Sequence, residues 1–180
     1  MELKTCHKCE LCATRNNVVL GKGPKNAKIM IVGEAPGEDE DILGEPFVGR
    51  CGDLLTKLLT KAGLKREEIY ITNTVKCRPT VGNKFKKNRP PTEEEINTCK
   101  YWLWQEIKEV KPRIIFTLGA VPTKLILKLK KSAKLGDYVG IEHVLDFGTI
   151  VPIWHPAFIL RNGNIYVERC IDIFREHSKI

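Results

Sequence analysis

Four short apolar runs punctuate this chain, with longer segments of helical periodicity between them. The runs are KIMIVG (28–33), IYITN (69–73), RIIFTLG (113–119) and IVPIWH (150–155). Each is apolar nearly throughout instead of alternating, as strands covered on both faces by helices are. Pro152 has no N–H for a ladder, which demotes the fourth run to an edge or to a strand start.

The segments between supply the covering helices. GDLLTKLLTKAG (52–63) puts Leu54, Leu55, Leu58, Leu59 and Ala62 on one face and ends at a glycine stop. TEEEINTCKYWLWQEIKEV opens with Thr92 and Glu95 in capping-box spacing, and its stripe runs Ile96, Cys99, Leu103, Ile107 and Val110. Further helices are expected over 120–130 and over 166–177, the latter with Val167, Cys170, Ile171 and Phe174 inward. This alternation predicts an α/β fold, a three-layer α/β/α sandwich on a mainly parallel four-stranded sheet. At 180 residues one core suffices, and no linker or repeat divides the chain, so residues 1–180 read as a single domain.

The unusual polar residues fall just after the strands: GEAPGEDED (33–41), TNTVKCRP (72–79), LGA (118–120) and HPAFILRN (155–162). Ligands of open α/β sheets bind beyond the strand carboxyl ends, so four segments converge on one site. Gly21 and Gly23 precede a strand, and no phosphate-binding loop is present, which argues against a nucleotide cofactor. The acids Glu38 to Asp41 read as a solvated turn or a helix start. Phe47, in the glycine-rich loop GEPFVGR (44–50), is either a satellite of the core or a platform for a planar base. Asn73 ends a buried strand with an amide that either ties down the loop or reads a nucleobase edge. His155 stands at a strand end, where Pro156 fixes the turn. Phe158, Ile159 and Leu160 beside Arg161 either pack or form an apolar wedge next to a phosphate-binding cation.

Three of the seven cysteines crowd into KTCHKCELC (4–12). Cys6 and Cys9, or Cys9 and Cys12, have the C-x2-C spacing of a metal claw, and Cys77 and Cys99 are available to complete a set of four. Cys99 also lies on the apolar stripe of its helix, while Cys51 and Cys170 fit packing roles. The N-terminal stretch lacks a signal-peptide apolar run and no segment is long enough to span a bilayer, so an intracellular, cytoplasmic protein is expected. There, clustered cysteines bind metal more often than they form disulfides. A formal net charge of +8 favours polyanionic partners.

Taken as an ordered set, VGEAPGEDED, PFVGR, TNTVKCRP, LGA and HPAFILRN resemble the family 4, iron–sulfur branch of the uracil-DNA glycosylase superfamily. The resemblance runs from Cys6 to about Phe174. It implies a DNA repair enzyme that flips uracil out of uracil-containing DNA, single- or double-stranded, and hydrolyses its N-glycosidic bond, acting as a monomer without a membrane. His155, Asn73 and Glu34 would be catalytic, and Glu34, Ala35, Gly37, Glu40, Phe47, Asn73 and His155 would bind uracil. Gly119, Ala120, Leu160 and Arg161 would contact DNA. Cys6, Cys9, Cys77 and Cys99 would hold a structural [4Fe–4S] cluster, because Cys9-Glu10-Leu11 and Arg15 match the surroundings of the second ligand, leaving Cys12 spare. Four thiolates suit zinc as well.

Ala35 stands where better-known relatives carry an aspartate. From the family pattern itself this chain departs in three places: a basic insert occupies 80–87, Glu45 replaces a basic residue, and Cys51 stands where alanine is common. A cluster- or zinc-stapled DNA-binding module without activity, and a glycosylase preferring hypoxanthine, are the competing readings.

Overall fold

Successive residues of each apolar run serve two different cores. The computed structural model of the protein describes residues 3–82, 86–163 and 165–179. Its strands in chain order are β1 (Ile29–Gly33), β2 (Tyr70–Asn73), a short pair β3 (Thr80–Val81) and β4 (Lys87–Asn88), β5 (Ile114–Leu118), β6 (His143–Leu145) and β7 (Gly148–Ile153). The α-helices are α1 (Glu38–Leu43), α2 (Arg50–Lys61), α3 (Glu93–Val110), α4 (Ala120–Ile126), α5 (Pro156–Asn162) and α6 (Ile165–His177). Ile31, Ile71, Phe116 and Val151 face α2, α5 and α6, whereas Met30, Val32, Tyr70, Ile115 and Ile150 face α3 and α4. Period-two alternation with both faces apolar is what the unbroken hydrophobic runs require.

The sheet has five strands in the order β2-β1-β5-β7-β6, not four. The first four are parallel, and β6 adds an antiparallel edge to β7. Pro152 therefore sits in an internal strand, contrary to its predicted edge position. Pairing with β6 runs only from Gly148 to Ile150, so Pro152 lies beyond it. Its carbonyl faces that same open side, where it accepts the Gly140 N–H at 2.9 Å, so the missing donor interrupts no ladder.

Helix boundaries shift where local backbone dictates. The helix expected over 120–130 stops at Ile126, with Lys128 in a left-handed conformation (φ 53°). HPAFILRN, for which no helix was expected, forms α5 after His155, with Pro156 in its first turn. The acids Glu38 to Asp41 are the first turn of α1 and are not simply solvated. Asp41 is buried and accepts the backbone N–H groups of Asn16 (2.9 and 3.1 Å) and Asn17 (3.2 Å), fastening the N-terminal segment to α1. Of the basic insert, Asn83, Lys84 and Phe85 lie outside the described residues, and its flanks pair as β3 and β4. No helix among the described residues is long and apolar enough to cross a membrane.

Candidate active site and cysteine cavity

Parallel pairing brings the carboxyl ends of β1, β2 and β7 to one cleft of about 430 Å3. Glu34, Ala35 and Gly37 line it from the turn after β1, Glu40 from the first turn of α1, Asn73 from the end of β2, and His155 and Arg161 from the start and body of α5. Phe47 closes one wall. All seven residues that the family resemblance assigned to the base thus share this cleft. Of the four assigned to DNA, only Arg161 lines it. Gly119 backs the histidine instead, where an added Cβ would lie 3.2 Å from that of His155, and Ala120 follows it as the first residue of α4. The wedge expected at 158–160 is divided: Ile159 is in the core and Phe158 stacks edge-on against Tyr166 at 4.9 Å, which leaves Leu160 exposed.

Sequence pairing sets Gly33 opposite Asn73. Any Cβ at 33 would collide with both the Asn73 side-chain oxygen and the Phe47 ring, so glycine there lets amide and ring meet. Asn73 is 2% exposed, and its Oδ1 has no hydrogen-bond partner, a cost normally avoided inside a protein. Asn73 lines the cleft, so this unpaired acceptor stands beside the space a ligand N–H would enter.

Phe47 is held differently. Its backbone is left-handed (φ 55°), a sparsely populated state for a bulky residue that costs on the order of 1–3 kcal/mol. Arg66 grips it from outside, donating to the carbonyls of Phe47 (2.8 Å) and Pro46 (3.1 Å) and to the Thr56 hydroxyl (2.9 Å). Gly52 leaves room for the Phe47 carbonyl, which a side chain there would strike. Glu40 closes the loop from the other side. One carboxylate oxygen accepts the N–H groups of Val48 and Gly49 (3.0 Å each), and the other accepts that of Gly37 (3.0 Å).

His155 lies 6.1 Å from Phe47, ring centre to ring centre. Its Nδ1 accepts the Ala157 N–H at 3.1 Å at the start of α5. Burial, assisted by the Arg161 charge, lowers its pKa to about 4. The ring is therefore neutral at physiological pH with its proton on Nε2, which makes it a donor. Burial raises the Glu34 carboxyl above the usual range, so this acid sheds its proton less readily than a surface glutamate.

Asn88, Arg89 and Pro90 form a further wall that the strand-end rule missed, because it arrives through the β3–β4 hairpin. Arg89 is fixed by a bidentate pair with Glu95 (2.8 and 2.6 Å), the capping acid of α3. Arg78 donates to the Asn88 side-chain oxygen at 2.6 Å. Cys51, expected to pack, also lines the cleft.

A second cavity lies behind the loop after Asn73. Cys6, Cys9, Cys77 and Cys99 all line it, and Cys12 does not. The Lys76 backbone N–H donates to the Cys99 sulfur at 3.3 Å and Arg15 to that of Cys77 at 3.5 Å. Trp102 borders the same cavity, and its buried indole N–H has no partner. Burial pushes the Cys9 and Cys99 thiols up and Cys77 to about 11, so without a cation they stay protonated. Among the described residues, no three His, Cys, Asp or Glu side chains already form a single-ion site.

Comparison with known proteins follows the same lines. Residues 20–175 match the family described as the Uracil DNA glycosylase superfamily. A type-4 uracil-DNA glycosylase of Saccharolobus solfataricus is 42% identical over 171 residues, covering 91% of this chain and 76% of that one. Those of Archaeoglobus fulgidus and Thermotoga maritima are 40% and 39% identical, covering 88% and 94% of this chain and 80% and 85% of theirs. The chain belongs to the uracil-DNA glycosylase superfamily. Within it, the type-4 members just named are about 40% identical, against 30% for a type-5 member of Pyrobaculum aerophilum. The α/β architecture and mainly parallel sheet expected for that family are present, with one strand more than predicted.

Proposed function

We propose that this protein removes uracil from DNA by hydrolysing its N-glycosidic bond and leaving an abasic site. The observation that carries the reading is the pairing, in one cleft, of an unsatisfied Asn73 oxygen with a neutral His155 whose only proton is on Nε2. Uracil presents an N3–H donor flanked by two carbonyls. Asn73 Oδ1 accepts that N–H, and the amide nitrogen donates to the neighbouring carbonyl. Cytosine has an acceptor at the same ring position, so this amide rejects it. Phe47 stacks on the flipped ring, and Glu40, tied by three N–H groups, shapes the wall that a methyl group on the base would strike.

Cleavage leaves charge on the departing base. His155 donates from Nε2 to that developing anion, a contribution on the order of 2.7–4 kcal/mol by analogy with other preorganised donors. Extrusion of the base costs a few kcal/mol, offset by stacking and edge contacts. With Ala35 where better-known members of the superfamily carry an aspartate, water attack on the oxocarbenium-like sugar relies on leaving-group stabilisation, and Glu34 orients the water. Arg161, which lines the cleft, and the exposed Leu160 would contact DNA, in keeping with the basic net charge of +8, while Gly119 and Ala120 are assigned to DNA on the family resemblance alone.

Cys6, Cys9, Cys77 and Cys99 would hold a [4Fe–4S] cluster. Four thiols on one cavity, two sulfur-directed N–H donors and the unpartnered Trp102 N–H suit a sulfur-rich group. When bound, it would cross-link the N-terminal segment, the loop after β2 and α3, which is a structural role. Iron and sulfide analysis of the purified protein tests this, and zinc alone would overturn it.

The activity is tested with oligonucleotides containing uracil, hypoxanthine or neither, incubated with the protein and then treated with alkali. Strand breaks only at uracil are expected. Breaks mainly at hypoxanthine would change the substrate, and none would leave a DNA-binding module.

A further inference from the structure

A lysine is buried directly beneath the proposed base-reading residue. Lys76 has no exposed side-chain surface, and its amine finds three acceptors: the Thr72 hydroxyl (2.6 Å), the Asn73 backbone carbonyl (2.7 Å) and a Glu106 carboxylate oxygen (2.6 Å). The Thr72 hydroxyl also donates to that oxygen at 2.8 Å. The other Glu106 oxygen accepts the Gly21 N–H at 3.1 Å and the Tyr70 hydroxyl at 3.4 Å. Three of the four residues of β2 are thus attached to one ion pair. Gly21, dismissed above as part of a nucleotide loop, has its use here, since a side chain there would meet Tyr70 and Glu106.

We propose that Lys76, with Glu106 and Thr72, is a positioning residue that sets the end of β2 so that the Asn73 amide faces the base. This rests on the reading of Asn73 given above. A buried ion pair is weak as a source of stability, because apolar replacements of similar volume are often as stable or more so. What an apolar core cannot supply is a donor to the Asn73 carbonyl where the β2 ladder ends and the chain must turn. Lys76 also faces the other way along the chain. Its backbone N–H donates to the Cys99 sulfur and its carbonyl accepts the Val19 N–H at 2.8 Å, so one residue joins the cysteine cavity to the base-reading strand end.

The paired variant Lys76→Met/Glu106→Gln removes both charges together and strands neither. It is compared in the Asn73 and Asn73→Ala backgrounds by single-turnover cleavage of uracil DNA at saturating enzyme, with thermal unfolding, metal content per chain and affinity for uracil-free DNA measured alongside. Since small misplacements of a reacting group are costly, a loss of about tenfold or more is expected with Asn73 present. In the Asn73→Ala background the further loss should be under about twofold, the non-additivity of groups acting as a unit. DNA affinity and metal content should stay unchanged, a split that a merely structural lysine would not produce. Equal losses in both backgrounds, or no loss with Asn73 present, overturn the proposal. If Asn73→Ala alone keeps the native rate, the error lies in the reading of Asn73. Should the paired variant not fold, Thr72→Val takes its place in the same comparison, with a loss of about threefold or more expected on the same grounds.

Discussion

Phe47 and Asn73 meet across Gly33, yet the molecule holds them in opposite ways. Asn73 belongs to a buried strand, and its position follows from the ladder with β1 and from the ion pair beneath it. Phe47 belongs to a loop in an unfavourable backbone state, and polar side chains grip that backbone from either side. One wall is placed by the core and the other is clamped onto it. The difference shows how a single cleft can combine a fixed hydrogen-bonding edge with a stacking surface that has to be restrained separately.

Breaking the fixed side should have the largest effect. Asn73→Ala and His155→Ala should each lower the single-turnover rate of uracil release about 10²–10³-fold, the usual cost of losing one preorganised donor or acceptor. Neither should lower the midpoint of thermal unfolding by more than a few degrees, because both groups face the cleft. Native rates in both variants would sink the assignment.

The clamped side should respond in a graded way. Phe47→Ala removes a stacking contact worth about 1–3 kcal/mol, which is roughly five- to 150-fold in binding or rate. Arg66→Met keeps the ring and removes the clamp. It should cost less activity than Phe47→Ala while making the loop around residue 47 more susceptible to limited proteolysis. If the two variants were equally impaired, or if Arg66→Met disturbed Asn73 as much as Phe47, the two walls would not be independent.

The smallest effect is a slope. The folded His155 takes its proton only near pH 4, whereas the unfolded chain takes it near the ordinary 6.5. Between those values the unfolded state holds more protons, so this residue makes stability fall as pH drops from about 6.5 to 4 and contributes no slope above. Glu34 has the opposite sign: its raised folded pKa makes its contribution decline as pH rises through the carboxylate range. Urea unfolding at about pH 4.5, 5.5 and 7 should show the histidine slope in the native protein and lose it in His155→Asn. An unchanged slope would mean that other groups dominate.

Much of this arrangement was legible in the residues. Continuous apolar runs identified the four parallel strands, and their carboxyl ends led to Glu34, Asn73 and His155. Strand β6 was not legible, because three residues with Val144 exposed carry no hydrophobic pattern of their own. Pro152 misled because its effect depends on where a neighbouring strand stops. The wall at Asn88–Pro90 depends on how a hairpin folds back, which local periodicity does not encode. Lys76, Arg66 and Glu106 carry no local pattern that would set them apart from surface charges. A lysine between two apolar stretches, in TVKC, was the only hint that one of them is buried.

The bond from the Ala157 N–H to His155 Nδ1 has a consequence for the proton inventory of the reaction. With that lone pair already engaged by its own helix, the imidazole offers the cleft a single hydrogen and no vacant base. In the proposed reaction it would work in one direction: it could shelter the departing anion, but it could not collect the proton that water sheds on attacking the sugar. Under the proposed mechanism that proton would leave through Glu34, the departing base or solvent, so the imidazole would serve one end of the hydrolysis and never the other.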